Sequence, residues 1–244
     1  MNSPSTPPRR RGTFLLAGLV VAVAAAGGFF WQWQAARAPV AEMPVTVSAA
    51  EPAAGTPAAP AARPVPATLP AITLKDRDDR PRSLSEWQGK ALVVNFWATW
   101  CPPCVREIPL LNRVREARRT QGVEFVGIAV DFREDVLAFA AKQPIGYPLL
   151  IGEEDGLAAV DAVGMSPAFP FTLFTDRQHR IVTVKIGELH QEDLDLILDT
   201  IRALDDGQIG LEAAQSRIND GLKTLSTARA RQEAADSGKS ATNG

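Results

Sequence analysis

Two nearly continuous runs of apolar residues constrain the fold of this chain more than any other feature. They are ALVVNFW at residues 91–97 and VEFVGIAV at residues 123–130. A strand with one face in water alternates apolar and polar residues, whereas a strand covered on both faces is apolar throughout. Each run is therefore predicted to be a central strand of a sheet that carries helices on both faces.

Helix and strand patterns alternate around these two runs. Apolar residues at helical spacing follow the first run and predict a helix through Val105, Ile108, Leu111, Val114 and Ala117. The same criteria predict short strands at residues 71–76, 147–151, 171–176 and 179–187, and helices at residues 133–143, 153–164 and 191–204. This order predicts an α/β fold in which a βαβ half precedes a ββα half, with a central mixed sheet flanked by helices.

The N-terminal region carries a long apolar segment with a basic flank. Residues 14–31 contain no charged or polar side chain, and Arg9-Arg10-Arg11 precede them. A spanning helix needs about 20 apolar residues, and a basic flank stays in the cytoplasm. We therefore expect a basic cytoplasmic terminus at residues 1–12 and an uncleaved transmembrane anchor at residues 13–33. A cleaved signal peptide is the alternative, because Ala36-Arg37-Ala38 has the small residues of a cleavage site.

Composition divides the rest of the chain into three segments. Residues 34–68 are dominated by Ala and Pro and lack material for a core, so we interpret them as a semi-extended tether. Residues 69–204 have a globular composition, and residues 205–244 form a C-terminal extension. The extension is predicted to contain an amphipathic helix with Leu211, Ile218, Leu222 and Leu225 on one face, followed by a disordered tail from residue 237. This helix either packs on the domain or binds a partner.

The two cysteines of the chain, Cys101 and Cys104, are separated only by two prolines in NFWATWCPPCVREIP. A disulfide that closes so short a loop removes little chain entropy, so a structural staple is a weak interpretation. A structural zinc site needs four ligands, and the chain adds only His179 and His190, which are not closely spaced. We expect neither a metal nor another cofactor. The remaining interpretation is a redox pair, in which one thiol resolves the bond that the other forms.

A Cys-x-x-Cys pair that follows a buried strand and begins a helix resembles the active site of the thioredoxin fold. The longer stretch VVNFWATWCPPCVREIP is similar to membrane-tethered bacterial thioredoxin-like proteins of the TlpA and ResA type. The stretch FPFTLFTDRQHRIV is similar to the part of that family in which a cis-proline precedes a strand, which places Pro170 at the cis-proline position after Phe169. The resemblance covers residues 69–204 and implies a thioredoxin-like domain there.

Two features depart from the family pattern. Asn95 stands where thioredoxins proper carry a buried aspartate, which puts a thioredoxin-style proton shuttle in doubt. The approach to Pro170, GMSPAFP, is longer and more apolar than the usual Gly-x-Pro run, so we expect an altered substrate groove there.

The position of each cysteine predicts its role. Cys101 is expected at the exposed start of the helix, where unpaired backbone N–H groups and the helix dipole favour a thiolate, so it is the predicted nucleophile. Cys104 lies one turn into the helix, is expected to be more buried, and is the predicted resolving thiol. Pro102 and Pro103 occupy first-turn positions that tolerate proline. Four residues are predicted to line the substrate groove: Trp100, Pro102, Pro103 and Phe169.

Glu107 follows Cys104 by three residues, so helical spacing allows it to lie near that cysteine. A solvated carboxylate early in a helix is the ordinary interpretation of such a residue. The matching glutamate of the resembled family takes part in the active site, which implies that Glu107 tunes the thiol pKa values and transfers protons. Trp97 is expected in the core and Trp100 beside the cysteines.

The resemblance implies an extracytoplasmic thiol–disulfide reductase on the outer side of a bacterial inner membrane, facing the periplasm. It also implies clients such as the haem-binding cysteines of apocytochrome c or copper-site cysteines, and electrons from a membrane thiol carrier of the DsbD type. Alternatives are a disulfide-forming oxidant, a tethered binding module without redox chemistry, and a thiol peroxidase, whose Pro and Thr residues before the cysteine are missing here. A net charge of −2 over 244 residues gives no basic excess for nucleic acid.

Overall fold

The computed structural model of the chain describes residues 64–242, with the backbone alone from residue 237. The predicted anchor at residues 13–33 and most of the predicted tether lie outside these residues. Among the helices of the described part, none combines the length and apolar character needed to cross a membrane.

A seven-stranded mixed sheet forms the centre of the described domain. Its strands are β1 (Thr73–Asp76), β2 (Pro81–Ser83), β3 (Ala91–Trp97), β4 (Val123–Ala129), β5 (Leu149–Ile151), β6 (Phe171–Thr175) and β7 (Ile181–Ile186). Their order across the sheet is β2-β1-β5-β4-β3-β6-β7. Strands β3, β4 and β5 are parallel, whereas β1, β2, β6 and β7 pair with their neighbours in antiparallel fashion.

Five α-helices complete the part of the chain that the structure describes: α1 (Pro102–Ala117), α2 (Arg133–Lys142), α3 (Glu154–Ala162), α4 (Gln191–Asp205) and α5 (Leu211–Thr242). A 3₁₀ turn, Leu84–Trp87, follows β2. The predicted α/β fold with a mixed sheet is confirmed, as are the strands and helices predicted between residues 71 and 204. The structure adds β2 and the 3₁₀ turn, which the apolar pattern does not indicate.

The two apolar runs are central strands, as their composition predicts. All seven residues of β3 are buried, and β3 lies between β4 and β6. Side chains alternate between the two faces of the strand, so each face contributes to a separate apolar cluster. One cluster contains Val93, Trp97 and both cysteines; the other contains Val94, Phe96 and Phe171.

The C-terminal extension is one long helix that packs on the domain. Ala214 and Ile218 of α5 are fully buried in the same apolar cluster as the cysteines. At Gly221 a Cβ atom would come within 2.4 Å of Leu196 Cδ2, so the helix approaches α4 closely at a residue without a side chain. The helix continues to Thr242, whereas the sequence predicts disorder from residue 237. Ala, Arg, Gln and Glu, which favour helix, dominate the turns just before that point.

Candidate active site

The cysteine pair lies where β3 ends and α1 begins. Cys101 is the N-cap of α1 in an extended conformation, and Pro102 and Pro103 occupy the first helical positions. Prolines fit there because the first N–H groups of a helix have no intrahelical partner. Asp131, just after β4, accepts a hydrogen bond from the Thr99 backbone N–H at 2.9 Å. This bond ties the cysteine loop to the neighbouring strand.

Cys101 and Cys104 are joined in a disulfide, and their Cα atoms are 5.3 Å apart. Cys104 is completely buried, which agrees with the prediction for the resolving thiol. Cys101 is only 4% exposed, so the expectation of an exposed cysteine at the helix start is wrong for this oxidised form. The disulfide holds the Cys101 sulfur against a fully buried partner, and both residues belong to the same apolar cluster.

Glu107 is a buried carboxylate, not a solvated one. It is 1% exposed and lies on α1 one turn beyond Cys104. The Leu189 backbone N–H donates to its Oε2 at 2.9 Å, and Asn95 Nδ2 donates to its Oε1 at 2.8 Å. Burial raises the pKa of Glu107 from 4.5 to about 7, although both hydrogen bonds act to lower it. The group can therefore exchange a proton near neutral pH.

Asn95 supports Glu107 from the centre of the sheet. Its Nδ2 also donates to Thr172 Oγ1 at 3.0 Å, and Thr172 is directly opposite Asn95 on β6. The Asn95 Oδ1 atom is buried without a hydrogen-bond partner among the described residues. Asn95 is therefore a donor to Glu107, and the carboxylate of this site whose pKa is shifted comes from α1.

A cis peptide bond joins Phe169 and Pro170, so the predicted cis-proline is confirmed. In the sheet register Phe171 faces Phe96, which places Pro170 at the end of β3 where the cysteine loop begins. The Phe169 ring makes an edge contact with Trp100, with ring centroids 6.1 Å apart. Trp100 is 67% exposed, whereas Trp97 is fully buried, as expected. Exposed aromatic surface thus lies directly beside Cys101.

Tyr147 is a further buried polar residue near this site. Burial raises the pKa of Tyr147, and the negative charge of Glu107 adds to the rise. Neither the Tyr147 hydroxyl nor Trp97 Nε1 has a hydrogen-bond partner among the described residues. Both side chains lie against Gly127 of β4, where a Cβ atom would be 2.8 Å from Tyr147 Cε2. The absence of a side chain at Gly127 lets these two rings pack against the strand.

Three contributors to the site have no signal in the sequence pattern: Thr172, Leu189 as a backbone donor, and Tyr147. Thr172 and Leu189 become neighbours of Asn95 and Glu107 only through sheet pairing and the turn before α4. For Asn95 the signal is the resemblance, because it stands where thioredoxins proper carry a buried aspartate. Within the described residues, no group of three His, Cys, Asp or Glu side chains is placed to hold a metal ion.

Comparison with known proteins agrees with this geometry. Residues 65–184 match the model of the AhpC/TSA family. The thiol-disulfide oxidoreductase ResA of Geobacillus thermodenitrificans (strain NG80-2) is 31% identical over 139 residues, which cover 57% of this chain and 78% of that protein.

Two solved structures share the fold. One is a thiol:disulfide interchange protein of the thioredoxin family from Chlorobium tepidum TLS, with 32% identity, a TM-score of 0.50, and coverage of 58% of this chain and 98% of that chain. The other is a secreted thiol-disulfide isomerase from Corynebacterium glutamicum, with 25% identity, a TM-score of 0.50, and coverage of 57% and 85% respectively.

The thioredoxin-like fold, the Cys101–Cys104 pair and these relatives define an enzyme that exchanges thiols and disulfides. The chain belongs to the family of ResA-like thiol–disulfide oxidoreductases.

Proposed function

We propose that the chain is a membrane-tethered, extracytoplasmic reductase of protein disulfides, with Cys101 as the attacking thiol and Cys104 as the resolving thiol. In each turnover the Cys101 thiolate attacks a client disulfide and releases one client thiolate. Cys104 then attacks the mixed disulfide and releases the second. The client gains two electrons and the pair becomes the Cys101–Cys104 disulfide, which a membrane thiol carrier of the DsbD type reduces again.

The buried carboxylate of Glu107 is the observation that favours a reductant over an oxidant. A strong oxidant of this chemistry is one whose reduced form is stabilised, chiefly by a low thiol pKa. Glu107 lies one turn beyond Cys104 on the buried face of α1. When ionised, it disfavours a second negative charge on the sulfurs and raises the thiol pKa values. The reduced form is then less favoured, and the pair donates electrons more readily.

The point at which the chain enters the domain supports a tether at the end opposite the active site. Thr68 bridges Arg180, and the Ile181 N–H donates to Ala67 O, so the chain enters beside the start of β7. The other end of β7 lies at the site, where the Gly187 N–H donates to Pro170 O. Six strand residues span about 17–20 Å. A membrane anchor at residues 13–33 and an Ala/Pro-rich tether would then join the domain at the end of β7 that is away from the cysteines.

The proposed clients are periplasmic proteins with a reducible cysteine pair, with haem-binding cysteines of apocytochrome c and copper-site cysteines as the two candidates. The exposed Trp100 ring beside the buried disulfide suits a folded or extended protein client better than a small thiol, because aromatic residues supply much of the energy of protein contacts. The exposed face of α5 is a candidate surface for a further partner.

Trapping of mixed disulfides tests this proposal. In cells that carry Cys104→Ser, the bond between Cys101 and a client cannot be resolved, so non-reducing gels of membranes should show covalent adducts. Cys101→Ser is the matched control and should trap few or none. Identification of the adducts names the client. Equal trapping by both variants would show that the nucleophile is wrongly assigned, and a lack of adducts from an active enzyme would refute a protein client.

A further inference from the structure

Helix α5 contacts the domain along one face that ends at Arg229. The residues of this face are at helical spacing and are buried or half-buried: Leu211, Ala214, Ile218, Leu222, Leu225 and Arg229. Residues 230–236 of the helix are all exposed. Ala214 and Arg229 are 15 residues apart, which corresponds to about 22 Å of helix. The helix thus extends one turn past Leu225, the last apolar residue of this face, and places a single guanidinium on the domain.

The Arg229 guanidinium pairs with a fully buried carboxylate. Its Nη2 lies 2.9 Å from Asp193 Oδ1 and 3.2 Å from Oδ2, and Asp193 is completely buried. A buried carboxylate without a partner is costly, so this pair determines where the first turn of α4 lies. Among the described residues, Arg229 is the only arginine or lysine that forms an ion pair with Asp193. The His190 Nδ1 atom lies 3.5 Å from Asp193 Oδ2.

Asp193 connects this ion pair to Glu107 through a short segment of backbone. Asp193 Oδ2 accepts a hydrogen bond from the His190 N–H at 3.2 Å, which caps the start of α4. The residue just before His190 is Leu189, whose N–H donates to Glu107 Oε2 at 2.9 Å. Two successive backbone N–H groups are therefore directed at two buried carboxylates, one on α4 and one on α1. Because these N–H groups belong to consecutive residues, a shift of the His190 N–H would also move the Leu189 N–H.

We infer that Arg229 and Asp193 are positioning residues of the active site: through the capped turn at His190 they hold the Leu189 N–H in its bond to Glu107. The C-terminal helix thereby becomes part of the site that controls the cysteine pair. This inference goes beyond the proposed function and needs only the dithiol chemistry of the family.

Several other groups also interact with Glu107, and the test leaves all of them unchanged. They come from every element packed around it: Asn95 on β3, Tyr147 before β5, Lys185 on β7, Glu188 after β7, and Cys101 and Cys104 at the start of α1. Glu188 is held by Arg106 of α1, and Lys185 Nζ donates to Glu188 O at 3.4 Å. None of these contacts involves Arg229, so its replacement leaves them in place, and exchange of the Leu189 amide hydrogen separates a change in that bond from the loss of a positive charge.

The test measures the ionisation of Glu107 in the full-length oxidised protein. The carboxyl carbons of glutamate are labelled with ¹³C, and the Glu107 signal is identified by its loss in Glu107→Gln. Arg229→Ala should weaken the Leu189 bond, which now lowers the pKa of Glu107, so this pKa should rise by at least about half a unit. Exchange of the Leu189 amide hydrogen should become faster. Arg231→Ala, an exposed change on the same helix, should alter neither quantity.

A second variant and a double variant complete the experiment. Arg229→Lys keeps the charge but not the planar fork, so it should give a smaller change in the same direction. Arg229→Lys also takes the place of Arg229→Ala in the experiment if the alanine variant does not fold. In Glu107→Gln, addition of Arg229→Ala should no longer change the pH profile of disulfide reduction by dithiothreitol. An unchanged Glu107 titration in a folded Arg229 variant, or a pH effect that persists without Glu107, overturns the inference. Neither result affects the client-trapping experiment.

Discussion

Replacement of Glu107 by Gln should change how the stability of the oxidised protein depends on pH. Burial raises the pKa of Glu107 to about 7 in the folded state, against an ordinary value of 4.5. Below pH 4.5 the carboxyl is protonated in both states and its ionisation contributes nothing. As the pH rises from 4.5 to about 7, the unfolded chain gains ionisation free energy that the folded protein does not. The wild type is therefore progressively destabilised over this range.

The size of the effect follows from the difference between the two pKa values. About 2.5 units at 1.36 kcal/mol each correspond to about 3 kcal/mol. A glutamine does not ionise and can keep both contacts. Its oxygen can accept from the Leu189 N–H, and its amide can donate to Asn95 Oδ1 if the Asn95 amide turns over, because that oxygen has no partner among the described residues. The variant should thus gain about 3 kcal/mol relative to wild type between pH 4.5 and 8.

Urea unfolding followed by circular dichroism at half-unit pH steps measures this difference. Glu134→Gln, which removes an exposed carboxylate from α2, is the matched control for loss of charge, and its effect should stay within about 0.5 kcal/mol. If the free-energy difference between wild type and Glu107→Gln were constant from pH 4.5 to 8, Glu107 would not be a carboxyl kept neutral by burial. Such a result would mean that the hydrogen bonds from Asn95 and Leu189 offset the whole effect of burial on the pKa of Glu107.

Three further substitutions test the packing and the rim of the site. Ile218→Ala should lower the free energy of unfolding by about 2–5 kcal/mol, and by more than Leu225→Ala, because Ile218 is fully buried where α5 meets the core; a small effect in urea unfolding would mean that α5 is only loosely attached. Gly127→Ala should cost about 1–3 kcal/mol, since its Cβ would be 2.8 Å from Tyr147 Cε2, and an unchanged melting temperature would contradict this contact. Trp100→Ala should raise the KM for a protein disulfide but leave the rate with dithiothreitol unchanged; equal effects on both substrates would exclude a client-binding role.

The parts of the fold that the sequence predicts are those encoded locally. The strands β3 and β4 are evident because almost every residue is apolar over seven consecutive positions. The start of α1 is evident from two prolines at first-turn positions. By contrast, β2 is three residues, Pro-Arg-Ser, with no apolar alternation, and only pairing with β1 makes it a strand.

The contacts that define the site are less predictable because they join residues far apart in the chain. Glu107 and Leu189 are separated by 82 positions, and Asp193 and Arg229 by 36. The periodicity of apolar residues in the sequence does not indicate such pairs. A buried carboxylate is stable only when the complete fold supplies its hydrogen-bond donors. The low exposure of Cys101 is also a property of the folded, oxidised site, where its sulfur is bonded to the buried Cys104. The helix-start position alone could not indicate it.

The reduction potential of the Cys101–Cys104 pair tests the proposed direction of electron flow most directly. The oxidised protein is equilibrated with defined ratios of reduced and oxidised dithiothreitol or glutathione, and the fraction of free thiols is measured by alkylation. A reductant whose thiolate is disfavoured by Glu107 should have a potential below about −200 mV, closer to thioredoxin at about −270 mV than to the oxidant DsbA at about −120 mV. Glu107→Gln should make the potential less negative. A wild-type value near −120 mV would contradict the reductase proposal and identify the protein as a disulfide-forming oxidant.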